Sequence, residues 1–458
     1  MSESTQSTKL AGWALGAAKS DLPEDVHQYV RNSIRDTVGC ILAGANEDAT
    51  RSAARLAARR AIDAEALALV LGTAAHAHDF DDVQVPTLVH PSCVIVPTAL
   101  ALAREYRAAP MYAAIAAGQE TSLRVGTALL NADGTNSMLF ERGFHPTPIC
   151  TTIGAAITAG LVIGLSEAEL AHAVGIAGSL ASGILEANRT GGTIKPFHAG
   201  WSSAAGIRAA YAAQCGLTGP PTAIEGRFGL LHAFGGAELA ARPLGDPTSE
   251  GWLLPGTFTK PYPTNGFTHP AIEVAVQLRE QGARAEELAK LVVGVARQVL
   301  PTIAEPRQAK LRPNTPYHAR FSGPVTVALA LRGGGGLGLA LADFPDELLA
   351  DAELLSLAER IEVVGDDWAS DRFPERLSAT GEFTSHTGAR LHTKVAVSRG
   401  GPERPLTEAE HRAKFDANAT GVLPAASVSA LAELLAAERG AAVDSLVDLV
   451  LAAFPECA

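Results

Sequence analysis

The sequence predicts a mainly α protein, a large all-helical domain with a smaller α+β domain inserted toward its C-terminal side. Three observations carry this. Alanine, the best intrinsic helix former, supplies 85 of the 458 residues. From residue 20 to about 245 the apolar positions recur at helical spacing and nothing reads as a sheet. Beyond a stretch rich in Pro, Gly and Thr at 243–270, short runs of strand character appear before helical spacing returns at about Thr407. The helical domain is therefore read as residues 1–258 and 400–458, and the α+β domain as 259–399.

Taken in order, Val26, Tyr29, Val30, Ile34, Val38, Ile41 and Leu42 keep helical spacing through Ser20–Gly44. Ser20 reads as the N-cap, with Pro23 in the first turn. Helical spacing continues over Arg51–Leu71, Ile95–Tyr106, Tyr112–Leu130, Pro148–Gly164, Glu167–Gly183 and Trp201–Cys215. Ser166 and Glu169 stand at capping-box spacing, and Gly164, Gly216 and Gly219 stand where helices stop. After the boundary, Leu291–Val295, Val325–Leu331, Ile361–Val364 and Leu391–Val397 read as strands, among helical segments at Pro270–Gln281 and Leu348–Arg360. Thr407 and Glu410 make a second capping-box spacing, ahead of helices over Ala425–Glu438 and Val443–Phe454.

Composition excludes several classes. A charged share of 19% and the lack of any short repeat argue against a disordered or fibrous chain. The net charge of −12, with no run of Lys or Arg, leaves no footprint for nucleic acid. Five scattered cysteines without a C-x-x-C pair read as reduced thiols of a cytoplasmic protein. The polar N-terminus does not read as a secretory leader. Pro146–Ser166 contains no charge, yet it is mostly Ala, Gly and Thr and reads as a core helix, so no membrane association is expected.

Four polar clusters carry the chemistry. The first is His76-Ala77-His78-Asp79-Phe80-Asp81-Asp82, followed by His90-Pro91-Ser92. Three carboxylates in four positions repel one another unless a cation or proton sits between them, and such crowding shifts pKa values. A solvated turn and a His/Asp metal site are the alternatives here, and no other ligand spacing supports a metal. The second cluster, Glu141-Arg142-Gly143-Phe144-His145-Pro146-Thr147, places a histidine at the mouth of a helix. The third, Gly191-Gly192-Thr193-Ile194-Lys195-Pro196-Phe197-His198-Ala199-Gly200, places a lysine in a Gly-flanked loop ahead of a helix beginning near Trp201. The fourth, Phe258 to Pro270, holds Lys260, Asn265 and His269 at the domain boundary. Only eight residues are lysine, and two of them lie in these clusters. No G-x-S-x-G elbow, Walker A loop or H-E-x-x-H occurs. His and Lys near Asp, ahead of helices and without a metal or cofactor motif, suit cofactor-independent removal of a proton beside a carboxylate of a small polycarboxylate.

The ordered stretches His78-Asp79-Phe80-Asp81-Asp82 with His90-Pro91-Ser92, Gly143-Phe144-His145-Pro146-Thr147, Thr193 to Gly200, Leu217-Thr218-Gly219-Pro220, Glu225-Gly226-Arg227-Phe228-Gly229, and Lys260-Pro261-Tyr262-Pro263 with Phe267-Thr268-His269-Pro270 resemble the MmgE/PrpD family. Ala319-Arg320-Phe321-Ser322 and Leu406-Thr407 with Lys414-Phe415 extend the likeness. The resemblance implies an α+β lid domain, a homodimer and no cofactor. It also implies action at a carbon beside a carboxylate, as in 2-methylcitrate dehydratases, iminodisuccinate epimerase and cis-aconitate decarboxylases. It puts Asp79, His90, His145, Lys195 and Lys260 on family active-site positions.

In this reading Asp79 or His145 is the base, His90 the acid or second base, and the two lysines hold carboxylates. Asp82, Thr193, His198, Asn265 and His269 are the candidates for holding substrate. The chain departs from the decarboxylases at Val83, Asn265 and Val325, where they carry Thr, His and Tyr. That favours a dehydratase-like lyase or an epimerase. The rival reading is a non-catalytic helical dimer that binds a small acid.

Overall fold

A computed structural model describes residues 5–59, 61–106, 110–436 and 443–457. The chain divides into two compact units. The first comprises residues 1–77, 81–257 and 418–458, and the second residues 78–80 and 258–417.

The first unit is helical. Its main N-terminal helices are α1 (Gln6–Ala17), α2 (Glu24–Gly44), α3 (Asp48–Ala57), α4 (Ala64–His76), α5 (Ser92–Ala103), α6 (Met111–Ala128), α7 (Pro146–Ile163), α8 (Glu167–Leu180) and α9 (Ile194–Gln214). Helix α7, the uncharged segment, is buried throughout its length as a core helix. Its threonines tolerate this because Thr151, Thr152 and Thr158 each donate to the carbonyl four residues back. The Ser166/Glu169 capping box forms as read, Glu169 Oε2 accepting from Ser166 N at 2.9 Å.

Small residues set the helix spacing. A Cβ on Gly154 would lie 2.2 Å from Gly118 O, and one on Gly118 2.7 Å from Gly154 O, so α6 and α7 touch backbone to backbone. A Cβ on Gly200 would lie 2.1 Å from Leu69 O, and one on Gly72 2.8 Å from Gly200 Cα. That second crossing packs α4 on α9 and delivers His76 and His198 to the same region.

Several boundaries differ from the sequence reading, each for a local reason. Helix α2 starts at Glu24 with Pro23, not Ser20, at the cap. Arg51–Leu71 is two helices, because Asp63 starts a new one by accepting from Ala66 N at 2.8 Å. Arg60, inside that predicted span, and the predicted helix end at Glu438 lie outside the described residues. Helix α1 escaped the reading altogether. Helix α9 begins at Ile194, seven residues before Trp201, so Lys195 is in its first turn and not in a loop. Pro196 is compatible with that position because first-turn N–H groups have no intrahelical partner.

The second unit packs α10 (His269–Glu280) on a four-stranded sheet. The strands are β1 (Leu288–Val295), β2 (Ile361–Gly365), β3 (Ala379–Ser385) and β4 (Arg390–Val395), in the order β2-β1-β3-β4. β1 and β2 are parallel and the other pairs antiparallel. Helices α11 (Gly323–Arg332) and α12 (Ala352–Glu359) lie in the crossover between β1 and β2.

The predicted strand Val325–Leu331 is therefore α11. Ser322 Oγ accepts from Val325 N and Gly333 closes the helix in the left-handed region, so capping decides a short apolar run that periodicity leaves ambiguous. β3 was missed because its buried face is Ala379, Gly381, Phe383 and Ser385, mostly too small to show hydrophobic alternation. A Cβ on Gly381 would meet Val274 Cγ1 of α10 at 2.3 Å, so the helix lies directly on the strand. Helix α13 (Glu408–Ala419) returns the chain to the first unit, which ends in α14 (Ala425–Ala436) and α15 (Val443–Leu451).

The glycine crossings predict opposite outcomes for one substitution. Gly154→Ala should destabilise by about 2 kcal/mol or more through overpacking. Gly16→Ala in α1, where nothing lies within 4 Å, should be neutral or stabilising by up to about 1 kcal/mol. Urea unfolding of the two variants checks both values.

Candidate active site

Helix α4 ends on His76 and α5 begins at Ser92, and the segment between them turns back so that one of its carboxylates, Asp81, meets two histidines. Asp81 Oδ1 lies 2.9 Å from His76 Nδ1, and Asp81 Oδ2 lies 2.9 Å from His90 Nδ1. The Asp81 side chain is fully buried. Burial pushes its pKa up, but His76 and His90 outweigh that and hold it well below the usual carboxylate range. Burial pushes His76 down. An ionised Asp81 thus accepts Nδ1–H from both imidazoles, which makes Nε2 the nitrogen that gains or loses a proton in each ring. His76 Nε2 has no hydrogen-bond partner among the described residues.

His145 stands at the cap of α7, its N–H donating to Gly183 O at 3.1 Å. Its ring lies against His76 at 5.6 Å between centroids, and its Nδ1 is 3.3 Å from His198 Nδ1. Burial, then the Lys195 ammonium, push His145 well below the usual imidazole range. Burial, His76 and Lys195 push His198 down to about 4. The donor atoms of His76, Asp81 and His90 lie within 4.8 Å of one another, a spacing that could serve a cation as well as a proton. Both Nδ1 atoms sit at hydrogen-bond length from Asp81.

Asp82 faces away from the histidines. It accepts from Tyr29 OH, Ser92 Oγ and Ser92 N, while Gln119 Nε2 donates to Ser92 Oγ and Ser33 Oγ. Burial pushes its pKa up to about 6 against the pull of the Ser92 and Tyr29 hydrogen bonds. Its oxygens are committed to tying the loop to α2 and α5, a positioning task in place of the expected substrate contact.

In the second unit three cations meet three successive residues. Arg320 Nη1 is 3.0 Å from His78 Nδ1, and Lys260 Nζ donates to Asp79 O at 2.6 Å and lies 3.2 Å from Asp79 Oδ2. Lys414 Nζ donates to Phe80 O at 2.8 Å and sits 3.9 Å from the centre of the Phe80 ring. Asp79 holds φ +54°, a left-handed conformation uncommon outside glycine. His269 Nε2 lies 3.3 Å from Thr264 O, and burial and Lys260 push its pKa down to about 3. Asn265 Oδ1 accepts from Phe267 N at 3.1 Å, capping a short turn.

Of the residues singled out from sequence, His90, His145, Lys195 and His198 therefore belong to the first unit's cluster, and Asp79, Lys260 and His269 to the second's. Thr193 is exposed at the cap of α9 and caps no N–H with its side chain. Sequence reasoning passed over His76 and Asp81, which lay in the first motif, and Arg320 and Lys414. Arg320 and Lys414 lay in stretches that extend the family likeness, and the scarcity of lysine was a further signal for Lys414.

Models of known families match both parts of the chain. The MmgE/PrpD N-terminal domain matches residues 8–241, and the MmgE/PrpD C-terminal domain matches residues 262–437. Human cis-aconitate decarboxylase is 27% identical over 80% of this chain and 75% of its own length. The mouse cis-aconitate decarboxylase is 24% identical over 80% and 73%. A cis-aconitate decarboxylase-like protein of Aspergillus oryzae is 27% identical over 51% and 49%, so the chain spans about half of that relative.

His269 gives a pH prediction. Between pH 6.5 and about 3 the unfolded chain binds a proton at this imidazole that the native protein does not. Stability should therefore fall as pH falls, by about 1.4 kcal/mol per unit from this group. His269→Asn should flatten the plot of unfolding free energy against pH by that slope between pH 6 and 4. An unchanged slope would mean that native His269 is charged there.

Proposed function

We propose that this chain, which belongs to the MmgE/PrpD family, abstracts a proton from a carbon beside a carboxylate of a small di- or tricarboxylic acid. The observation that carries the reading is the buried Asp81 carboxylate with two imidazole Nδ1 atoms at 2.9 Å. A proton on such a carbon leaves only when the enolate-like charge is stabilised and a base of suitable strength is held beside it. His90 fits the base: with Nδ1–H on Asp81, the imidazolium that forms when its Nε2 takes a proton is paired with Asp81. Lys195, in the first turn of α9, adds its charge to the positive end of the helix and suits a substrate carboxylate. His145, kept neutral by burial and Lys195, fits the second proton-transfer group. Asp79 is engaged by Lys260, which favours the histidines over it as the base.

The finer reading is a lyase that expels hydroxide after proton removal, as a 2-methylcitrate dehydratase does. A second reading, loss of CO2, is favoured by the relatives being cis-aconitate decarboxylases. Against it, Val325 is buried inside α11 and Asn265 is spent on capping. Neither supplies the proton donor that Tyr and His would.

Incubation with di- and tricarboxylates, 2-methylcitrate and cis-aconitate among them, in deuterated water separates the readings. Loss of water supports the dehydratase, and loss of CO2 the decarboxylase. Deuterium in recovered substrate of inverted configuration supports an epimerase. No exchange or turnover with any acid would overturn the proposal. With the acid that reacts, His145→Asn should lose about 100-fold or more in turnover while keeping the wild-type thermal unfolding. Full activity would remove His145 from the site.

A further inference from the structure

Four histidines of the first unit form a continuous array that runs past the Asp81 site. His90 meets His76 edge-on at 4.9 Å between centroids, His76 lies against His145, and His145 Nδ1 reaches His198 Nδ1 at 3.3 Å. His145 is 3% exposed, whereas His198 keeps 9% of its surface open. An Nδ1···Nδ1 hydrogen bond requires one ring to carry the proton and the other to offer a lone pair. The tautomers of the two rings are therefore locked to each other.

We propose that His198 is a proton relay acting through His145, exchanging the proton of the buried imidazole with solvent. The inference rests on the reading of His145 as an acid–base group. In the starting state His145 carries Nδ1–H and presents a free Nε2, while His198 carries Nε2–H. When His145 Nε2 takes a proton, its Nδ1 proton passes to His198 Nδ1, and His198 releases its Nε2 proton to water. Both rings end neutral with exchanged tautomers, and His145 now holds an acidic Nε2–H. Delivery of that proton, with uptake at His198 Nε2 from water and return of the Nδ1 proton, restores the start. One proton enters and one leaves at each pass, and no imidazolium accumulates.

The surroundings favour this neutral route. The groups facing His198 are His145, His76 and Lys195, together with the backbone of Gly183, and burial with the lysine holds both relay rings uncharged. Gly183 adopts φ +137°, and a Cβ there would meet Pro148 Cγ at 2.7 Å and lie 3.4 Å from His198 Nδ1. Glycine lets the segment that anchors His145 N–H pass close to the relay ring.

The test is chemical rescue of His198→Ala with the acid that the wild type converts. Turnover at low buffer concentration should fall by about 100-fold and recover at least about tenfold as imidazole buffer is raised, whereas the wild type stays indifferent to buffer. His198→Gln, which keeps a hydrogen bond to His145 but cannot relay, should be as slow as His198→Ala at low buffer. Undiminished turnover of His198→Ala, or a loss that imidazole does not restore, would overturn the relay.

If the wild type converts no acid, the functional reading fails, and the relay is judged separately by 15N-histidine NMR near neutral pH. The spectra should show one protonated and one unprotonated Nδ1 in the pair, with both rings neutral. Two unprotonated Nδ1 atoms would overturn it.

Discussion

A single buried carboxylate shared by two imidazoles is the constraint on which the first unit's site depends. The Asp81 side chain is fully buried, so its charge is stabilised by the Nδ1–H groups of His76 and His90. Meeting both fixes the path of the whole segment between α4 and α5. It also fixes the tautomer of each ring, and hence the nitrogen left for chemistry. Asp82 completes the arrangement from the opposite side by binding Tyr29 and Ser92, so two adjacent acids with opposite pKa shifts hold one loop.

Backbone packing makes that carboxylate useful. The Gly72–Gly200 crossing lets α4 and α9 approach closely enough for Lys195 to act on His76 and for His76 to act on His198, and the threonine-satisfied α7 holds His145 at its cap. Lys195 is thereby placed where it depresses three imidazole pKa values. Burial and the lysine push His76, His145 and His198 in the same direction, toward the neutral imidazole that can accept a proton. The second unit solves a different problem. It holds a non-glycine residue, Asp79, in a left-handed conformation and applies one cation to each of three consecutive residues.

Helix existence was legible wherever alanine-rich spacing ran long, and capping boxes at Ser166 and Thr407 formed as their side chains dictate. Legibility failed where burial and propensity gave conflicting signals. Val325–Leu331 looks like a strand because it is short and β-branched, and only its caps make it a helix. Ala379–Ser385 looks like nothing because a helix sits on its glycine. The start of α9 was hidden by Gly191, Gly192 and Pro196, which read as loop although proline is harmless in a first turn. Among the site residues, the histidine and lysine motifs were visible, but the acid chosen from the triplet was not.

The sequence by itself determined the helical class, the chemical groups available and the kind of reaction those groups suit, because side-chain chemistry and helical periodicity are local properties. Tertiary structure alone decided that Asp81 and not Asp82 pairs with the imidazoles, and that His76 and His198 join the row. A hydrogen bond or a pKa shift depends on separations of a few ångströms between residues far apart in the chain. Those separations exist only once glycine crossings and buried caps have brought the helices together.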